Sequence, residues 1–331
     1  MKKILLIALI ILLCGCDRNQ YDGEINVLNW SSYIPYDIIA DFEKEYNIKV
    51  NYGTYSSNEE LLAKISSSSE GTYDLIFPSD YMVELMISKN MLMPIDKSKI
   101  SNYKNINILF LNQKFDIDNK YSLPFLAATT VIAINRDHIK DNIRGYNDLL
   151  NDKYQNNIVF LDDQRIVIGM SLQASGYSMN EIDNQKLEKG KEWLLKINNN
   201  VKAFDSDSPK TFLITNEVDI GVMWNAEAII AKEYNPNIEI IYAKEGSAIS
   251  LDNYTIVKGA KNVDNAYKFI NYLLRDDVNK KITDEYPYIN TTYNNMNLRY
   301  YELKDILNKA SYVENIGSNI ATYDKIWAEI K

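Results

Sequence analysis

The side chains best suited to chemistry in this sequence are aromatic, hydroxylic and acidic. Their densest group is Leu28-Asn29-Trp30-Ser31-Ser32-Tyr33. Two aromatic rings and two hydroxyls close an apolar run, Glu24 to Asn29, that reads as a strand. Aromatic faces attract organic cations, and in open α/β sheets ligands bind beyond the carboxyl ends of strands. The alternative is a strand end feeding a helix, with Trp30 in the core. A second group, Leu161-Asp162-Asp163-Gln164-Arg165, places adjacent carboxylates after another apolar run. Paired carboxylates can hydrolyse glycosides, but adjacent residues at a strand end point apart, and an acid there equally caps a following turn. His138 is the only histidine. A Ser-His-Asp or Cys-His arrangement would therefore rest on one residue, in a charged segment predicted to be an exposed helix. The sequence has no phosphate-cradling glycine-rich loop and no histidine-rich metal motif. Binding of a cation ranks above catalysis, and neither a cofactor nor a metal is implied.

These side chains need a frame, and the hydrophobic pattern supplies one. Ile25, Val27 and Leu28 suggest a strand, and Pro35 opens an amphipathic helix with Ile38, Ile39 and Phe42 inward. Ile48 and Val50 begin a second strand, Asn58 to Ile65 reads as a capped helix, Asp74 to Phe77 as a short buried strand and Tyr81 to Lys89 as a helix. This β-α-β-α-β order predicts a mostly parallel sheet with helices on both faces. A second set follows, with strands at Thr130 to Asn135, Ile158 to Leu161, Val201 to Phe204, Ile220 to Trp224, Ile238 to Tyr242 and Tyr254 to Val257. Val263 to Leu274 has helical spacing. The chain is expected to cross between two α/β domains near Ala127-Ala128 and near Asp252, which would make a hinged cleft.

Composition bounds the function. The 331 residues suffice for about two domains. Lys2 and Lys3 precede a short apolar run, Ile4 to Leu13, too short for a permanent membrane helix and suited to a signal peptide. The segment ends Leu13-Cys14-Gly15-Cys16, which resembles a bacterial lipobox whose last cysteine is acylated; the alternative is an ordinary secretion signal. Both cysteines lie in this region, so the mature domain has no internal disulfide and no thiolate metal site. Removing residues 1–15 deletes two lysines and no acid, taking the formal net charge from −9 to −11. Such a chain is a poor nucleic-acid partner, and its field favours cationic solutes.

At this point a resemblance emerges. Asn29-Trp30-Ser31-Ser32-Tyr33-Ile34-Pro35, Thr54-Tyr55-Ser56-Ser57-Asn58-Glu59, Tyr73-Asp74-Leu75-Ile76-Phe77-Pro78-Ser79 and Asp96-Lys97-Ser98-Lys99 occur in that order. They are followed by Tyr121-Ser122-Leu123-Pro124-Phe125, Trp224-Asn225, Lys244-Glu245-Gly246 and Tyr272-Leu273-Leu274-Arg275-Asp276-Asp277-Val278. The set resembles the spermidine/putrescine-binding proteins of polyamine ABC transporters, in order and spacing, from about residue 24 to the end. The resemblance implies a type II periplasmic-binding-protein fold: two α/β lobes with a central ligand cleft and a hinge. A signal peptide (1–15) and tether (16–23) would precede lobe one (24–127 plus 253–296) and lobe two (128–252 plus 297–331).

A polyamine is a methylene chain with ammonium groups at fixed spacing, so its receptor needs carboxylates at the ammoniums and aromatic walls between them. The resemblance implies an aromatic wall from Trp30 and Tyr33, polar contacts from Ser31 and Ser32, and contributions from Ser79 and Tyr81. It further implies Trp224 stacked on the methylene chain, Tyr286 as a late wall residue, Asp252 as an ammonium partner and Asp163 as a second acid. Three positions depart from the family pattern: Ile166 where a glutamate is usual, Ser250 where a large aromatic is usual, and Val313 where spermidine binders carry glutamine. Glu227, three residues after Trp224, is expected to replace the missing carboxylate. The implied partners are a polyamine, an ABC permease and a membrane reached through lipid on Cys16; nucleic acid is not one, and the chain is expected to be a monomer at the extracytoplasmic face. The competing readings are the same fold with another solute (another organic cation, thiamine, ferric ion or sugar), a surface hydrolase, or an adhesin or sensor.

Overall fold

The computed structural model describes residues 21–206, 208–292 and 303–331. The expected signal peptide (1–15) and the expected lipidation position Cys16 lie outside the described residues. Strand β1 (Gly23–Trp30) takes in Gly23, which the sequence assigns to the tether. It lies parallel to β2 (Ile48–Tyr55) on one side and β3 (Leu75–Ile76) on the other. Helix α1 (Tyr36–Tyr46) joins the first pair and buries Ile38, Ile39 and Phe42. Its entry is set by Pro35, whose fixed φ suits a helix start, and it stops where Asn47 turns left-handed at φ 53°. Helix α2 (Asn58–Ser67) is capped not by Asn58 but by Ser57, whose hydroxyl accepts the Glu60 amide at 3.1 Å. Helix α3 (Asp80–Ser88) and strand β4 (Leu92–Met93) follow.

Strand β5 (Ser122–Asn135) is longer than its expected Thr130 start, and all fourteen residues are buried. It is followed by β6 (Ile158–Phe160), α4 (Gln164–Ala174), α5 (Asn184–Ile197), β7 (Val201–Phe204) and α6 (Pro209–Ile214). Next come β8 (Ile220–Trp224), α7 (Asn225–Tyr234), β9 (Ile238–Ile241) and β10 (Ser247–Val257). Helices α8 (Val263–Leu273) and α9 (Asp276–Glu285), strand β11 (Ile289–Asn290), α10 (Leu303–Lys309), β12 (Ala310–Tyr312) and α11 (Ile320–Ile330) complete the described chain.

The expectation of a mostly parallel sheet is corrected. Parallel pairing holds inside each half, with β2-β1-β3 in one and β7-β6-β8 in the other. Two long strands join the halves, and both are antiparallel. The first part of β5 pairs with β10, and its second part, from Thr130, pairs with β8 and from Ile132 with β9. The expected crossings at Ala127-Ala128 and Asp252 are therefore the middles of continuous strands. The β5–β10 register slips between Asp252 and Asn253, opposite the Pro124–Leu126 stretch. A bulge there accommodates Pro124, which has no amide proton for the ladder. Strand β11 adds to the same face, pairing Ile289 with Ala127.

The apolar residues gather accordingly. One core runs from Val131 through Ala248 and takes in Val313, Tyr323, Ile326 and Ile330. Another joins Ile25, Val27 and Phe42 to Phe125, Tyr254 and Phe269. A third lies under α2 and α3, around Leu61, Ile76 and Met86. Leu303 and Ile306 pack with Phe110, Ala127, Ile249, Leu251 and Ile289, where β5 and β10 run side by side. Each such buried aliphatic or phenyl side chain stabilises the fold by about 1.5–3 kcal/mol.

Candidate functional site

Trp30 ends β1, and the chain then turns through Ser32, which sits left-handed at φ 53°. The turn leaves Ser31 and Ser32 exposed and returns Tyr33 to the interior. Trp30 is held by its indole, which donates to the Phe77 carbonyl at 3.0 Å, and its ring lies 4.6 Å from that of Tyr55. Tyr55 donates to the same carbonyl at 2.6 Å. Tyr33 lies 4.6 Å, ring to ring, from Tyr288.

At the centre of these rings is Asp252, in the middle of β10 and only 2 % exposed. One carboxylate oxygen accepts the Tyr33 hydroxyl at 2.7 Å, the other the Ser79 hydroxyl at 2.6 Å. Ser79 reaches it because Ser79 and Asp252 form an isolated antiparallel bridge between the chain ahead of α3 and β10. Burial pushes the Asp252 carboxyl up to about 6, although the hydroxyl donors favour its charged form. Asp80 lies beside it, 1 % exposed, accepting the amides of Tyr81 at 2.8 Å and Leu251 at 3.4 Å. Burial raises its carboxyl well above the usual range, and the charge of Asp252 adds to the effect.

Across from this group stands Asp163, at the start of α4 in the other half of the molecule. Its carboxylate caps the helix, accepting the Ile166 amide at 3.0 Å. Burial lifts it to about 6. Tyr81 bridges the halves: it packs on both the Val131–Ala248 core and the α2–α3 core, and its hydroxyl donates to Glu59 at 3.1 Å. Burial raises the Tyr81 phenol, helped by the charges of Glu59 and Asp163. Asp162 points elsewhere and pairs with Lys331 at 2.5 Å, so the adjacent carboxylates do point apart. Ile166 is buried in the core.

Trp224 ends β8 and directly precedes α7, half-buried beside the larger core. Glu227 follows in the first turn of that helix. It is 8 % exposed, and its carboxylate is 2.7 Å from the Lys210 ammonium. That pairing alters the expectation for Glu227: the acid is buried beside the site but already holds a cation. Tyr286, the expected late wall, interacts with Ser32 and lies toward Tyr36 and Asp37 at the exposed start of α1. The ring facing Tyr33 is instead Tyr288, whose phenol is raised by burial and then by the charges of Glu227 and Asp252. Tyr288, Tyr55, Asp80, Glu59 and Lys210 were not foreseen as site residues. Only Tyr55 and Glu59 lie in a motif singled out in the sequence.

His138 is a further correction. It lies in the turn after β5 rather than on a helix, and its Nδ1 is 2.7 Å from Asp219, an arrangement that fixes the turn far from the acids described above. Among the described residues no group of three or more His, Cys, Asp or Glu side chains could hold a metal ion. What the cluster presents is two buried carboxylates, Asp252 and Asp80, and a partly exposed one, Asp163, none with an ion-pair partner among the described residues, beside aromatic rings. Buried carboxylates of this kind demand a cation, and rings beside them favour an organic one.

This fold and site define an extracellular receptor for a small solute, and comparison with known proteins agrees. Residues 37–297 match the bacterial extracellular solute-binding protein family. The chain belongs to that family, whose members bind solutes for transport. It is 35 % identical to the spermidine/putrescine-binding periplasmic protein of Salmonella typhimurium over 92 % of this chain and 90 % of that one. Two solved structures are similar in fold over 93 % of this chain. The spermidine/putrescine ABC transporter substrate-binding protein PotD of Streptococcus pneumoniae is 30 % identical, with a TM-score of 0.79 over 98 % of its chain. The Tp0655 (TpPotD) lipoprotein of Treponema pallidum is 27 % identical, with a TM-score of 0.85 over 99 % of its chain.

Proposed function

We propose that this chain captures a polyamine, putrescine or spermidine, at the extracytoplasmic face and delivers it to an ABC importer. The observation that carries the reading is Asp252: a buried carboxylate gripped by Tyr33 and Ser79, with no ion-pair partner among the described residues. The relatives named for spermidine and putrescine support the same class. One ammonium of the ligand pairs with Asp252 and another with Asp163. Trp30, Tyr33, Tyr288 and Trp224 line the methylenes, Ser79 and Tyr81 orient the acids, and Ser31, Ser32 and Tyr286 form the mouth. The ligand bridges lobe one (24–127 plus 253–296) and lobe two (128–252 plus 297–331), and the closed form, favoured by its extra contacts, docks on a permease. The protein acts as a monomer, held to the membrane by lipid on Cys16 after removal of residues 1–15; mass spectrometry of the native N-terminus tests that step.

Ser250, small and partly exposed where the resemblance implies a large aromatic, leaves room for a bulkier cation such as thiamine. Calorimetric titration with putrescine, cadaverine, spermidine, spermine and thiamine, on the unaltered protein and on Asp252→Asn, tests the reading. Amine binding that weakens by about tenfold or more in Asp252→Asn supports it, since a charge-assisted hydrogen bond contributes about 1.5–3 kcal/mol. Binding of thiamine alone replaces polyamine with another cation.

A further inference from the structure

Glu227 is buried in the first turn of α7, three residues after Trp224, and its charge acts on Tyr288, whose ring lies 4.6 Å from that of Tyr33 beside Asp252. It therefore lies near the cluster around Asp252. Its carboxylate is not available there, because the Lys210 ammonium sits 2.7 Å away. Lys210 projects from α6 immediately after Pro209, which presets the start of that helix. The Lys210 side chain is 24 % exposed and that of Glu227 10 %. The pair is thus largely out of water, where losing one partner costs more than at a surface. A ligand ammonium that took Glu227 would strand the lysine; one that left the pair intact would find no free charge.

We propose that Lys210 is a specificity-determining residue: its ammonium occupies the counter-charge position on Glu227 and withdraws that carboxylate from the ligand. The lysine is a tethered stand-in for an amine. This inference rests on the amine-binding reading above, and it makes that reading narrower. The ligand's charges are matched to Asp163 and Asp252, and an ammonium reaching toward Glu227 meets a neutralised acid. The sequence feature that draws Glu227 toward the ligand is cancelled by a residue 17 positions earlier.

A double-mutant cycle tests it. Lys210→Met, Glu227→Gln and the double variant are titrated by calorimetry with putrescine, cadaverine, spermidine and spermine. The titrations run at about 0.3 M salt, which screens exposed charges and leaves a buried site largely unaffected. Lys210→Met is expected to bind at least one of these amines about tenfold tighter, because it frees one charge-assisted contact. Glu227→Gln is expected to bind about tenfold weaker, because it leaves an unpaired cation at the cleft. The double variant, neutral at this position like the unaltered protein, is expected to match it within about threefold. Two results overturn the proposal: no amine gains affinity in Lys210→Met, or the double variant binds tenfold or more weakly, which makes Glu227 itself a ligand contact. Should Lys210→Met lose its folded circular dichroism, Lys210→Gln takes its place with the same expected gain. Absence of amine binding by the unaltered protein overturns the amine reading and this one together, whereas normal binding with an unresponsive Lys210 overturns this one alone.

Discussion

Asp252 shows how a single carboxylate can be both costly and useful. Its carboxyl sits at about 6 rather than 3.8, because burial penalises the charge more than two hydroxyl donors restore it. A shift of that size corresponds to about 3 kcal/mol held against the ligand-free fold at neutral pH. The sign follows from proton counting. Between about pH 4 and about pH 6 the folded chain keeps a proton that the unfolded chain has released, so stability falls as pH rises through that window. An ammonium beside the carboxylate favours the charged form, so ligand affinity runs the other way and drops below about pH 6. Calorimetry in buffers of differing ionisation heat is expected to show proton release on amine binding near pH 6, and Asp252→Asn is expected to reduce it. Tyr288→Ala is expected to weaken amine binding by about tenfold, within the range of one cation–π contact, and also to lower thermal stability, because its ring packs on the core beside Tyr33. Neither Tyr288 nor Lys210 was legible as a site residue. Tyr288 meets Tyr33 across 255 positions of chain, and Lys210 lies in an ordinary polar segment with no pattern pointing to Glu227.

Helix α4 shows two roles coinciding in one element. Asp163 caps it and is also proposed as an ammonium partner. The two roles separate by substitution. Asp163→Asn keeps a capping oxygen and removes the charge, so it is expected to lose amine affinity while stability stays within about 0.5 kcal/mol or rises. Asp163→Ala loses both, and chemical denaturation is expected to show a further cost of about 1 kcal/mol. At this scale the sequence reading succeeded where elements carry clear periodicity or caps: β1, α1, β8 and α8 lie within a residue or two of expectation. It found the second half of β5, from Thr130, and missed the first, because all fourteen residues are buried, so no alternation marks a strand, and Pro124 argues against one. The bulge opposite Pro124, which removes that objection, depends on β10 and is invisible locally.

At the scale of the whole molecule, β5 and β10 join the two halves. They carry the chain through both halves as neighbouring antiparallel strands, with Asp252 midway along one and Ala127-Ala128 midway along the other. In the proposed mechanism one ligand pairs with acids from both halves, Asp252 and Asp163, and so draws the halves together. A saturating amine is expected to shrink the radius of gyration in solution scattering. At about a hundred times its dissociation constant it is also expected to stabilise the fold by about 2.7 kcal/mol, seen as a rise in melting temperature. The two-lobe arrangement was legible through eight short motifs in register, whereas the mixed sheet was not, since strand direction is set by partners far along the chain. The most direct test of the account is calorimetric titration of putrescine and spermidine into the purified protein at neutral pH. The account predicts saturable binding of at least one of them with one ligand per chain, and binding of neither at millimolar concentration would contradict it.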